Sequence, residues 1–287
     1  MGRQRTHSSD PRIGTYEIST GTASVEADPF REGAYILNVN GVPSSHIVLD
    51  EPEELEFEYM RWIAAAVESL APGRRLVHLG GAGCSLARYF ASVWPSSHNT
   101  VVELDAKLGR LVRELFDIPS APTVKIRAGE ARAVTFGFPP GRCDVIIRDV
   151  FAGSTTPRPL TTVEFFEAAH SALSAGGLYV ANCGDHSSLR VAKAELAGLA
   201  QVFSHVAVIA DPPMLKGRRY GNVILIASDT ELPGEGSPEF AALSKPLLAG
   251  AVPARYEDEE WTRKFFKGAD ALRDPAEIGR ASCRERV

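Results

Sequence analysis

The sequence predicts an α/β protein, a doubly wound and mostly parallel seven-stranded sheet preceded by a small antiparallel β unit. Three observations carry this. From residue 75 onward, apolar strand runs alternate with helix-period runs, the pattern of a parallel sheet covered on both faces. The first of those strands enters a glycine-rich turn and then a helix, LVHLGGAGCSLARYF at 76–90. Ahead of it, residues 15–27 and 34–49 alternate apolar and polar side chains around Asn40 and Gly41, a hairpin signature.

The elements follow in order. Residues 1–12 are polar and are expected to be disordered, and 13–52 form the β-hairpin unit. Residues 53–70 begin acidic and keep a helical period until Pro72 and Gly73 end them. Strands are expected at 75–79, 100–104, 123–128, 143–150, 177–183, 203–210 and 222–228. Helices fall at 84–93, 106–116, 162–173 and 187–199. No helix separates the last two strands, so they are expected as an antiparallel pair at one edge. The nucleoside-binding, catalytic domain therefore spans 53–229, and 230–276 reads as a linker with peripheral helices. Residues 277–287 back-translate in one frame into a common sequencing adapter, so Cys283 is expected to carry no meaning.

Composition excludes several classes. The 287 residues are 44% hydrophobic and 23% charged, with 31 Lys and Arg against 36 Asp and Glu, net −5. A mildly acidic chain without a basic stripe is not expected to bind nucleic acid. No run approaches the roughly 20 apolar residues of a membrane helix, so no membrane partner is expected. The basic N-terminus lacks the apolar stretch of a signal peptide, and the cytoplasm is the expected compartment. Cys84, Cys143 and Cys183 show neither CxxC nor metal-ligand spacing. They read as buried reduced thiols, and no metal is expected.

The candidate site gathers at the carboxyl ends of the strands, where open α/β sheets place their chemistry. Gly80, Gly81 and Gly83 let the backbone turn sharply and approach a ligand closely. Glu103 ends the second strand, 20 positions past Gly83, where a carboxylate can accept both hydroxyls of a ribose. Glu130 follows the third strand and either meets an adenine amino group or begins a helix. Asp105 reads as a helix N-cap. Asp149 ends the fourth strand, where an acid can orient an amine or take its proton. Asp185 ends the fifth and is expected to line the same crevice, with His186 beside it at the surface. The glycine pattern fails G-x-G-x-x-G at Leu86, which counts against a nicotinamide dehydrogenase.

The order NGVPSSH, EFEYM, LGGAG, VVELD, AGEA, CDVIIRDVF, GGLYVANC and YGNVILIAS resembles the spermidine synthase family of polyamine aminopropyltransferases. The resemblance covers roughly residues 35–228. It implies the Rossmann-like class I S-adenosylmethionine-dependent methyltransferase fold, and a homodimer or tetramer. The co-substrate it implies is decarboxylated S-adenosylmethionine or S-adenosylmethionine itself, with a small-molecule amine as acceptor. In it Asp149 is the base, Glu103 holds the ribose, Glu130 the adenine side and Tyr59 the substrate cavity. Packing of Tyr59 on the sheet is the alternative. The departures lie at the polyamine end. Gly83 stands where the family has an acid for the aminopropyl ammonium, and Ala152 replaces the second acid of D-x-x-D. Ser44 replaces a glutamine, and Arg218, within Lys216-Gly217-Arg218-Arg219, replaces a tyrosine. The expected function is thus a spermidine synthase-like transferase that passes an aminopropyl or methyl group to an acceptor the sequence leaves open, a non-polyamine included. The other reading is a nucleoside-binding scaffold of the same fold that has lost catalysis.

Overall fold

The computed structural model describes residues 10–153 and 155–275. The adapter-like tail with Cys283, and residues 1–9 of the segment expected to be disordered, lie outside them. Residues 10–12 are held in place, with Arg12 Nε donating to the Leu115 carbonyl at 3.0 Å.

The N-terminal unit is larger than one hairpin. It is a four-stranded antiparallel sheet of β1 (Gly14–Ile18), β2 (Gly21–Ala27), β3 (Ala34–Val39) and β4 (Val42–Val48), in that spatial order. The β3–β4 turn is the expected Asn-Gly, with φ of 52° at Asn40 and 77° at Gly41. Two successive positive φ values match the strand twist, which is why this dipeptide makes the tightest hairpins.

The helix α1 (Glu58–Leu70) leads into the main domain, which alternates β5 (Arg75–Leu79), α2 (Ser85–Val93), β6 (His98–Glu103), α3 (Ala106–Leu115), β7 (Val124–Ala128), α4 (Ala131–Phe136), β8 (Cys143–Arg148), α5 (Val163–Ala172), β9 (Leu173–Asp185) and α6 (Arg190–Val202). Then come β10 (His205–Ala210), the short α7 (Pro212–Leu215), β11 (Gly221–Ser228), α8 (Pro238–Ala249), β12 (Arg255–Glu257) and α9 (Glu259–Phe265). The sheet order is β12-β10-β11-β9-β8-β5-β6-β7. The run β9-β8-β5-β6-β7 is parallel, and β10 and β11 form the expected antiparallel pair. The sheet has eight strands rather than seven. The extra one, β12, pairs with Val208–Ala210 of β10 and covers the edge that seven strands would leave open. Three residues are too few to show a period in sequence.

The core follows the alternation of the strands. Leu76, Ile147 and Val180 pack under α1, α2 and α8, while Val77, Leu79, Ile146 and Tyr179 pack under α5 and α6. The N-terminal sheet packs Leu37 and Ile47 against Ala87 of α2 and Val112 of α3. Cys84, Cys143 and Cys183 are free and buried, as expected. Among the described residues, no helix is long and apolar enough to cross a membrane.

Asp105 also joins the two parts. One oxygen caps α3 through the Lys107 and Leu108 N–H groups, and the other accepts from the Thr20 N–H at 2.6 Å and hydroxyl at 2.9 Å. Burial works to raise this carboxyl, but the N–H donors of Leu108, Ser19 and Thr20 win and hold it well below the usual carboxylate range. A depressed folded value stabilises fully above the unfolded value of roughly 3.9 and is withdrawn as pH falls below it. Asp105→Ala should therefore melt below wild type by a constant margin above about pH 5, and the margin should narrow below about pH 4. A margin unchanged down to the acid limit of folding would mean the carboxyl is not depressed.

Candidate functional site

The sheet reverses its winding between β5 and β8, and a crevice opens there at the carboxyl ends. The glycine turn forms one wall. Gly80 sits at φ +87°, and a Cβ there would collide with the Asp149 carbonyl, so glycine is required by both conformation and space. A Cβ on Gly81 would come 2.6 Å from Val101. Ala82 and Cys84 adopt left-handed φ of 39° and 61°, so strain is concentrated in this turn.

Glu103 holds the turn. Its Oε2 accepts the Gly81 and Ala82 N–H groups at 3.1 Å each, and its Oε1 accepts the Asp105 N–H at 2.9 Å. The expected grip on two ribose hydroxyls narrows, because Oε1 alone keeps an open lone pair. Glu103→Ala should weaken adenosyl binding by roughly 1–3 kcal/mol, the range for a lost charge-assisted hydrogen bond, and free two backbone donors as well. Calorimetry that finds an unchanged affinity would remove Glu103 from the site.

Asp149 is the centre of the opposite wall. Its Oδ2 accepts the Tyr59 hydroxyl at 3.1 Å, and its Oδ1 accepts Asn182 Nδ2 at 2.9 Å. Tyr59 comes from α1, packs against the core beneath that helix as its alternative reading expects, and also reaches the crevice acid with its hydroxyl. Burial raises the Asp149 carboxyl, against the hydrogen bonds from Asn182 and Tyr59 and the charge of Arg148. Burial and the neighbouring Asp149 push the Tyr59 hydroxyl well above its ordinary value, so it acts as a donor. Asn182 escapes the sequence reading. Its signal is an amide inside the apolar run LYVANC, on the strand whose Ala181 is in register with Arg148.

Two expected site residues serve the scaffold. Asp185 faces backbone donors at the end of its strand. It is 2% exposed, and its oxygens accept the His186 N–H at 2.7 Å and the Ala192 N–H at 2.9 Å, tying the end of β9 to α6. Glu130 N-caps α4 with both oxygens, through the Arg132 and Ala133 N–H groups at 2.8 and 2.7 Å. It is exposed and keeps lone pairs toward solvent.

The departures have structural form. Gly83 is buried, donates its N–H to Ser45 Oγ at 2.9 Å, and would bring a Cβ within 2.7 Å of Ser45. The N-terminal sheet thus fills the space an acid would need. Ala152 is exposed, and Ser44 bonds the Val42 carbonyl of its own strand. Arg218 and Lys216 are exposed, while Arg219 pairs with buried Asp211 at 3.0 Å. Gly217 lies against the Ser187 carbonyl, which places this basic loop over the β9–α6 turn. Among the described residues no group of three or more His, Cys, Asp or Glu could hold a metal ion.

No family model matches the chain. The polyamine aminopropyltransferase of Vibrio vulnificus (strain CMCP6) is 25% identical over 222 residues, 77% of this chain and 71% of that protein. A spermidine synthase solved in complex with the transition-state analogue AdoDATO superposes with a TM-score of 0.61 at 17% identity, covering 89% of this chain and 84% of the other. The probable spermidine synthase from Corynebacterium glutamicum ATCC 13032 superposes with a TM-score of 0.90 at 58% identity, covering 93% of this chain and 98% of that one. With its glycine turn, Glu103 and Asp149 placed on that shared frame, the chain belongs to the spermidine synthase family and carries its class I methyltransferase-like fold.

Proposed function

We propose that the protein transfers the aminopropyl group of decarboxylated S-adenosylmethionine to an amine acceptor that is not a polyamine. The observation that carries this is Asp149, held by Tyr59 and Asn182 across the crevice from the Glu103-braced turn. In the reaction the lone pair of a neutral amine attacks the carbon beside the sulfonium. The new N–C bond forms as the C–S bond breaks, the bonding pair passes to sulfur, and methylthioadenosine leaves. The displaced N–H proton goes to the Asp149 carboxylate. Free amines titrate near the lysine value of roughly 10.4, so a carboxylate beside the nitrogen is what keeps the attacking form available. The fold supplies the rest by holding both reactants in line.

The acceptor class follows from charge. Buried ammonium groups need carboxylate partners. Asp185 accepts from backbone donors, Asp211 is buried and pairs through one oxygen with Arg219, and Ala152 offers no carboxylate. Lys216 and Arg218 add exposed positive charge on the loop over the β9–α6 turn. These groups support an acceptor with one amine at Asp149 and no second ammonium. The Gly83–Ser45 contact favours a second reading, methyl transfer from S-adenosylmethionine, because Ser45 fills the place where the resemblance expects an acid, and neither residue would repel an α-carboxylate.

Calorimetric titration with decarboxylated S-adenosylmethionine, S-adenosylmethionine, methylthioadenosine and NAD tests the site. Binding of the adenosyl compounds and not of NAD is expected. No heat from any adenosyl compound would remove both readings. Turnover assays with putrescine, spermidine and amino-acid acceptors then separate the acceptor classes, and binding without turnover on any of them would leave a nucleoside-binding scaffold.

A further inference from the structure

Asp149 shares a small cavity with a side chain that has no part in the chemistry above. The cavity, about 20 Å³, lies beneath the glycine turn and is lined by Met60, His78, Gly80, Ile147, Asp149 and the first turn of α2. It has room for about one water-sized group. His78 is 4% exposed, and its Nε2 lies 2.9 Å from Asn99 Oδ1. The Asn99 amide is fixed by its own Nδ2, which donates to Ser97 Oγ at 2.8 Å and to the Thr123 carbonyl at 3.2 Å. Oδ1 therefore faces the imidazole, and Nε2 must carry the proton. Nδ1 is then a bare acceptor, and it has no hydrogen-bond partner among the described residues. Burial pushes the imidazole down to about 4, so it stays neutral at pH 7.

His78 and Asp149 thus line one cavity, and each carries an acceptor, the Nδ1 of one and the carboxylate of the other. They cannot bond each other, and a single group that satisfies both must bring two protons. The N–H groups of Ser85, Leu86 and Ala87 open α2 with no intrahelical acceptor, and these residues line the same cavity. A water molecule meets all three demands. We infer that the cavity seats one water, which donates to His78 Nδ1 and to Asp149 and accepts from the α2 terminus. His78 is thereby a positioning residue for Asp149. The positioning role rests on Asp149 being the base proposed above.

The titratable and charged groups around Asp149 are Tyr59 from α1, His78 from β5, Cys84 at the head of α2 and Arg148 behind the sheet. A water hydrogen donated to a carboxylate favours its charged form. Removing the second anchor of that water should therefore move the Asp149 titration upward. With ¹³C-labelled aspartate, and Asp149→Asn to assign the resonance, His78→Leu is expected to raise the midpoint by about one pH unit. His78→Asn restores an acceptor near the Nδ1 position and should bring the midpoint back. An unchanged midpoint in folded His78→Leu would overturn the inference. The ¹⁵N spectrum of the wild-type imidazole is an independent measurement, valid even if both variants fail to fold. It should show a protonated Nε2 and an unprotonated, hydrogen-bonded Nδ1, and a proton on Nδ1 would end the case. Neither measurement uses a substrate, so failed adenosyl binding would sink the proposed function and leave this result standing.

Discussion

Arg148→Leu is expected to destabilise the fold by about 3–5 kcal/mol, the range for removing one partner of a buried ion pair. The midpoint of thermal unfolding should fall by on the order of 10 °C. Arg148 is the last residue of β8 and points away from Asp149, as alternate strand residues must. It meets Glu195 of α6 at 2.7 Å, with both side chains fully buried. Its two terminal nitrogens also approach the Leu160 and Asn182 carbonyls at 3.4 Å. Without the guanidinium, the Glu195 carboxylate would be a charge in an apolar layer. Burial already raises that carboxyl despite the charge of Arg148. A raised folded value makes the variant relatively more stable in acid, where Glu195 is neutral, so its deficit should shrink as pH falls. The double replacement Arg148→Met with Glu195→Leu should recover most of the loss. Denaturant melts giving a loss below about 1 kcal/mol for the single variant would place the pair among weakly contributing ones.

Asp149→Asn should cut turnover by roughly 100-fold or more while leaving adenosyl affinity near wild type, as for a lost general base. The two side chains have nearly the same shape, so Tyr59 can still donate to the remaining oxygen. The amide cannot take a proton from the acceptor nitrogen. Burial raises the Asp149 carboxyl, so the acid limb of the wild-type profile should lie above the ordinary aspartate range and vanish in the variant. Affinity and turnover falling together by one factor would make Asp149 a structural residue.

Much of this was legible in the chain, for identifiable reasons. Continuous apolar runs such as CDVIIRDV announce a strand buried on both faces, and the glycine turn announces its own geometry. Asp105 reads correctly as a cap because the capping residue precedes its helix directly. Asn182 and His78 stay hidden because a polar residue inside a strand acquires meaning only when the neighbouring strands are known. The order β9-β8-β5 brings them to either side of Asp149. The scaffold role of Asp185 stays hidden for the opposite reason. A strand-end acid looks free until the following turn folds back and supplies backbone donors.

The clasp between the N-terminal sheet and α2 has a consequence for how the molecule can be taken apart. Ser45 holds the Gly83 N–H, and buried Arg88 donates to the Val48 and Leu49 carbonyls at 3.1 and 2.9 Å. The strained loop that shapes the pocket is therefore buttressed from outside the domain that contains it. Transplanting residues 53–229 alone would export Glu103 and Asp149 without the brace on the glycine turn between them. Swapping the first fifty residues between relatives should alter co-substrate affinity through the shape of the glycine turn.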